Sequence, residues 1–307
     1  MKKILTLLLL ATTTVAFAQP KKLELNLQKD STYYLTTNGK LDIDQTIQGA
    51  HQLIKTTIKG RMSHKVTSIK DTLYNIEVAY KSIGMEMEIQ GKTLSFDSEA
   101  ADSSNIFSRV MKSIVNKPFD LVLSKRGEIV TIKNTQNLFK NIFDGLPPIP
   151  EEKKTQLLAQ LQQSFGDKAI RGNFQESFIV FPKTPIALKG SWTSRTFLET
   201  GAISAKTNTR YVLNNITDDG YEISGDAIVV PGAPAEFKNG NGYFMRMSNV
   251  SGTTKTIVKI DKQTGWILES QVVKAIKGTM QVKQTLAGPI AMTMPMTVNA
   301  ILHTNHD

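Results

Sequence analysis

The sequence predicts an α+β, β-dominated fold: two related antiparallel curved sheets, with amphipathic helices supplied by the middle of the chain. Three observations carry this prediction. Apolar and polar residues alternate with period two at both ends of the chain, as in Leu23, Leu25 and Leu27 or Ile76, Val78 and Tyr80. A helical period takes over between residues 103 and 166. Three short patterns of the first half recur in the same order in the second. The chain has 307 residues, 40% of them hydrophobic. That argues against intrinsic disorder and is enough for one large or two ordinary domains.

The elements follow in order. Met1-Lys2-Lys3 is a short basic segment, Ile4 to Val15 an uncharged apolar run, and Ala16-Phe17-Ala18 a small-x-small site before Gln19-Pro20. This is the pattern of a secretory signal peptide over residues 1–18. The run is too short to span comfortably, which takes about 20 apolar residues. The expectation is therefore an exported protein, periplasmic or secreted, with no integral membrane segment after cleavage. With no Cys in the chain it is not a lipoprotein, and disulfides, thiol catalysis and thiolate metal sites are excluded.

From Ser31 to Phe96 the text is strand-like, with breakers at Gly39, Gly49, Gly60, Asp71 and Gly91. Met85, Met87 and Ile89 alternate with Glu86 and Glu88, so each strand has one dry and one wet face. Ile106, Phe107, Val110, Met111 and Ile114 form a helical stripe after Ser103-Ser104, and Leu138, Phe139, Ile142 and Phe143 repeat that spacing after Thr135. Between them, Phe119 to Ile132 reads as a hairpin turning at Lys125-Arg126-Gly127. Leu146-Pro147-Pro148-Ile149-Pro150 is a stiff connector. Glu151 and Glu152 then open a helix that Gly166 ends. Strands return from Phe174, with turns at Asp218-Asp219-Gly220 and Asp261 to Gly265 and an exposed loop from Pro231 to Gly242. Trp192, at the start of a strand, is expected to be a buried anchor. The division is an N-terminal antiparallel β lobe with the helical segment over 19–170 and a C-terminal antiparallel β lobe over 171–307.

The repeated patterns suggest an internal duplication. Lys29-Asp30-Ser31-Thr32-Tyr33 recurs as Lys189-Gly190-Ser191-Trp192-Thr193. Ile69, Asp71, Tyr74 and Ile76 recur as Ile216, Asp218, Tyr221 and Ile223. Leu121 to Ile129 recurs as Val258 to Ile267 with one insertion. The Ala18-Gln19 start, Arg171-Gly172-Asn173-Phe174 with Phe178 and Phe181-Pro182, Lys189 to Trp192, and Gly288-Pro289-Ile290 before Met294-Pro295-Met296 resemble a family of exported bacterial proteins of unknown function. The resemblance implies an envelope or secreted location. It implies no known activity and supplies no catalytic residues.

Few constellations could carry chemistry. His51 and His64 are an odd number of residues apart and would face opposite ways on one strand. His303, His306 and Asp307 read as a frayed polar tail rather than a metal site. The pairs Asp42/Asp44 and Glu86/Glu88 sit on wet strand faces, where nothing would split their pKa values for acid–base work. Met292, Met294 and Met296 share a strand face, and Met85/Met87 and Met245/Met247 make similar pairs. A soft-metal thioether site is one reading and an adaptable apolar surface the other; without neighbouring His or Cys the second is preferred. The 30 Lys and 7 Arg are scattered, which suits solvated sheet faces better than nucleic acid.

No catalytic residue, cofactor or metal is therefore expected, and the chain reads as a non-enzyme. The leading functional expectation is an apolar or lipid-like ligand, held between sheet and helices by Met85, Met87, Phe107, Met111, Phe139, Phe143, Met245 and Met247. Half-barrel lipid carriers of the envelope supply an analogy. The alternatives are a structural or interaction module of the envelope with no small-molecule ligand, its sheets packing on each other or on another envelope protein, and, last, an uncharacterised enzyme. N-terminal sequencing of the exported protein should begin at Gln19; retention of Met1 would overturn the leader assignment.

Overall fold

Both halves of the chain form antiparallel meanders of the same order. The first is β1 (Thr32–Ile47), β2 (Ala50–Lys70), β3 (Leu73–Ile89), β4 (Lys92–Asp97), α1 (Ile106–Ile114), β5 (Phe119–Ser124) and β6 (Ile129–Lys133). A 3₁₀ turn (Thr135–Phe139), α2 (Glu151–Phe165) and α3 (Asp167–Ser177) follow. The second is β7 (Ser191–Thr200), β8 (Ile203–Ile216), β9 (Gly220–Pro231), β10 (Lys238–Gly240), β11 (Tyr243–Asp261), β12 (Ile267–Lys283) and β13 (Met292–His306). This computed structural model describes residues 19–100, 105–200, 202–232, 236–240 and 242–307. The leader 1–18 and the Ser103-Ser104 helix start lie outside the described residues.

The two meanders are one sheet. β1 pairs with β13 from Leu35↔His306 to Gln45↔Met296, which gives the order β6-β5-β3-β2-β1-β13-β12-β11-β9-β8-β7. The edge strands β6 and β7 both pack against α3. Eleven strands laid flat would hold their edges about 48 Å apart at ~4.8 Å per strand, yet one helix about 10 Å wide touches both. The sheet is therefore rolled, with α3 in its seam. The strand-dominated α+β class is as predicted, and the pairing of β1 with β13 makes the two lobes continuous.

Local chemistry explains the turns. Gln48-Gly49 and Gln90-Gly91 have positive φ at both residues, the type I′ geometry that suits two-residue hairpins. The three repeated patterns fall at equivalent places: the entries to β1 and β7, the β2/β3 and β8/β9 turns, and the β5/β6 and β11/β12 hairpins. Gly127 and Gly265 of the last pair have φ +78° and +68°. A Cβ on either would collide with a passing backbone carbonyl, that of Ile179 or of Glu24.

The core fills one end of the roll. The apolar residues of β2, β3, β5, β9 and β11, among them Val66, Ile76, Leu121, Ile223 and Val258, are buried there together. α3 plugs it from within. Its stripe Ile170, Phe174 and Phe178 is buried, and the Phe174 ring lies 5.8 Å from that of His64 and 6.3 Å from that of Phe119. An extended strap formed by residues 19–30 seals that end. Leu23, Leu25 and Leu27 are buried, and strap amides bond the carbonyls of Ile186, Lys125, Thr264 and Val66.

Several expectations change. Gly39 and Gly60 are inside strands; Gly39 lacks a side chain where Leu302 and Ile58 close over it. Leu23 to Leu27 is a strap rather than a paired strand. Phe174 is on α3, whose i, i+4, i+8 stripe outweighs the Gly172 within it. The segment 138–143 is only partly helical, as a 3₁₀ turn ending at Phe139. Trp192 is half-buried on an edge strand, stacked on Tyr211 and donating its N–H to the Val180 carbonyl at 2.9 Å. Trp266 is the fully buried indole. His303 and His306 are in β13, paired with β1 rather than frayed.

The Tyr74 hydroxyl ties the strap to β3, donating to the Leu25 carbonyl at 2.9 Å and accepting from the Leu27 N–H at 3.3 Å. Tyr74→Phe should cost about 1–3 kcal/mol by stranding both groups, read as a lower urea midpoint at unchanged slope. An unchanged midpoint would show that the strap does not stabilise the core.

Candidate functional site

The face that builds the core continues along the long strands beyond it. Cross-strand pairing sets three successive rows there. The first runs Met85, Ile58, Gly39, Leu302, Val272; the second Met87, Thr56, Leu41, Ala300, Lys274; the third Ile89, Ile54, Ile43, Val298, Ile276. Alternation puts all of them on one face. Leu41, Ile43, Ile54, Ile58, Met85 and Met87 are only half-buried. The helices lie elsewhere: α1 packs on β3 and β4, α2 on α3 and the 3₁₀ turn, and α3 on β6 and β7. The result is an apolar trough on β1, β2, β3 and β13 with little above it.

Polar groups on this face are few. The Thr56 hydroxyl is buried without a hydrogen-bond partner, and the Lys274 ammonium stems from the same row. Thr37 and Thr304 bond each other at 2.9 Å, and Gln45 donates to Gln52 at 2.7 Å. The opposite face carries Lys40, Asp42, Lys55, Lys59, Glu86, Glu88, Lys255 and Lys277, all exposed. His51 is exposed there, 2.7 Å from Asp44.

The eight residues expected to line one groove are divided. Met85 and Met87 lie in the trough. Met111 is buried in the main core, and Phe139 and Phe143 pack against it. Phe107 is 42% exposed on α1. Met245 and Met247 belong to a second apolar cluster near the far ends of β11, β12 and β13. Helical and strand periodicity found the apolar faces but carried no information on which faces meet. Ile43, Ile54, Ile58, Val298 and Leu302 were missed as site residues because a half-covered strand reads like a covered one.

Two other places gather polar groups. A cavity of about 470 Å³ between β3, β4 and α1 is lined by Lys59, Met85, Phe96, Asp97 and Asn105. Lys59 and Asp97 already pair there at 2.6 Å, and that hydrogen bond holds the Asp97 carboxyl below its ordinary pKa. The second is His64, sealed among Phe174, Phe178 and Trp266 at ring distances of 5.8, 6.2 and 5.2 Å. Its Nδ1 lies 3.3 Å from the Tyr33 carbonyl, while its Nε2 and the Trp266 indole N–H have no partner. Burial pushes its pKa down to about 4. His64 is thus a neutral core group at pH 7.

The comparisons with known proteins come to three findings. The sequence matches a family described as "Family of unknown function (DUF6263)" over residues 71–267. No curated protein sequence matches the chain. Among solved structures, the one titled "Lipid-protein interactions in lipovitellin" is similar at a TM-score of 0.52 and 8% identity, over 92% of this chain and 25% of that one. This chain thus spans about a quarter of that protein, and the likeness is one of fold alone. The outer membrane protein OprG from Pseudomonas aeruginosa aligns over 92% of this chain and all of its own at 7% identity, but its TM-score of 0.22 is too low to argue from. Among the described residues no helix is long and apolar enough to cross a membrane.

His64 makes a pH prediction. The unfolded chain takes up its proton near pH 6.5, but the fold refuses it until about pH 4. The stability this confers is complete above pH 6.5 and falls by about 3 kcal/mol as pH drops to 4. Urea unfolding of wild type and His64→Leu at pH 7 and pH 4 should show the steeper loss in wild type. Parallel losses would mean that His64 is not neutral in the fold.

Proposed function

We propose, from the premise that the chain belongs to the DUF6263 family of unknown function, that it is an exported, non-catalytic protein that holds an amphipathic, lipid-like molecule in the trough of β1, β2, β3 and β13. The observation that carries this reading is the half-buried aliphatic surface of Leu41, Ile43, Ile54, Ile58, Met85 and Met87. Apolar area left partly in water is a standing driving force, worth about 25 cal/mol per Å² once covered, and contiguous patches of this kind mark binding sites. The middle row adds a buried, unpartnered hydroxyl at Thr56, which suits a ligand with a polar head. The lipid named in the lipovitellin title agrees with this ligand class on a sheet of similar fold.

The polarity of the faces supports a water-exposed exterior. The Lys- and Glu-bearing face points away from the core, whereas a membrane-spanning barrel turns its apolar side chains outward. The basic leader and apolar run of residues 1–18 support export. The non-catalytic reading is supported by the carboxylate pairs, which lie on the opposite face from the trough, and by the burial of His64. The competing reading, a trough covered by another envelope protein, predicts a clean mass for the purified chain.

Ile54→Glu puts a charge in the trough at a half-buried position. It should weaken binding of a fluorescent fatty-acid probe by roughly 10- to 100-fold, the equivalent of about 1.5–3 kcal/mol, with the melting temperature little changed. Leu53→Glu, on the opposite face, should bind as wild type does. Equal affinity for both variants, or no lipid in native mass spectra of wild type, would overturn the proposal.

A further inference from the structure

The second apolar cluster holds six of the chain's eleven methionines. Met247, Met280 and Met294 stand side by side in one cross-strand row, all buried. Met245 and Met292 flank Val282 in the next row, and Met296 pairs with Gly278 on the other side. The absence of a side chain at Gly278 lets Met247 lie across it; a Cβ there would come within 2.9 Å of the Met247 Cε. A bulge produces this arrangement. Asn249, at φ +52°, and Val250 together oppose a single residue of β12. Counting by twos from Gly252 would turn Ser248 and Arg246 inward. The extra residue turns Met247 and Met245 inward instead.

From this we propose that the cluster is a binding site for a soft monovalent cation, Cu(I), ligated by the thioether sulfurs of Met247, Met280 and Met294, with Met296 within the same layer. Thioethers are neutral, soft ligands, so they select Cu(I) over Zn(II), Ca(II) or Mg(II) without a carboxylate or imidazole. Filling space does not require sulfur at three adjacent buried positions, where the buried strand residues of the main core are Ile, Val, Leu and aromatics. The site is separate from the lipid-like ligand of the trough, and neither needs the other.

The test uses the full exported chain. Under reducing conditions, wild type should withdraw Cu(I) from its coloured bicinchoninate complex, and excess Zn(II) should not compete. Met247→Leu/Met280→Leu/Met294→Leu, a volume-conserving change, should lose this capacity, while Met62→Leu should keep it. A second measurement does not depend on the variant's folding. Wild type labelled at its methionine methyl carbons and titrated with diamagnetic Ag(I) should shift the methyl signals of Met247, Met280 and Met294 and leave those of Met62, Met85 and Met111 in place. Copper retained by the triple variant, displacement by Zn(II), or silver shifts spread evenly over all methionines would each overturn the assignment.

Discussion

The structure depends on a mismatch between the length of its apolar face and the material available to fill it. The long strands keep period-two alternation over up to 21 residues in β2, so their dry face runs well past the point where other elements can cover it. Rolling the sheet brings that face against itself, and α3 with the strap completes the packing at one end. The shortness of β5 and β6, at 6 and 5 residues, confines their contribution to the same end. Hydrophobic burial, which rewards covered area without regard to direction, is satisfied there and incomplete beyond.

The β1–β13 ladder makes the roll possible. It joins the first and last strands of the described fold over eleven register positions. The sheet edges therefore fall at β6 and β7, which are neighbours in sequence through the helical segment. The same helices that connect the two halves can then close the gap between them. α3 stacks Phe174 on Phe178 at 5.7 Å and presents both rings to His64. The buried imidazole is neutral because nothing nearby compensates a charge, so the plug is held by shape and dispersion rather than ion pairing.

Strand class, turn positions and the repeated meander were legible because each rests on local chemistry: alternation in Ile76 to Tyr80, an X-Gly pair at Gln48-Gly49, Asp and Gly at hairpin tips. The α3 helix was not: with Gly166 ending one helix and strands expected from Phe174, only the shared buried stripe of Ile170, Phe174 and Phe178 reveals it. Trp192 and Trp266 both sit at strand entries, but Trp192 is on the edge strand β7 whereas Trp266 immediately precedes the interior strand β12. The expected groove failed for the same reason. Met111 and Met247 are both buried, yet they fill different clusters, and pattern alone does not say which elements face each other.

The bulge at Asn249 shows what sequence reading would have needed. Period-two counting along β11 is correct on each side of it and wrong across it: carried from Gly252 it places Arg246 and Ser248 inside, in conflict with the groove position expected for Met245 and Met247 from their own local alternation, and the inserted residue reconciles the two. A left-handed non-glycine residue carries a conformational cost of order 1–3 kcal/mol unless its surroundings enforce it, and Asn is among the residues that bear it best. Simple continuation of the ladder would avoid that cost and bury Ser248 in place of Met247. The chain adopts the costlier geometry, and the result is a row of three buried sulfurs at the end of the sheet opposite the plug. Two features of one face thus diverge in chemistry: an aliphatic stretch on β1, β2 and β3 left half in water, and a thioether cluster on β11, β12 and β13 drawn together by an inserted residue.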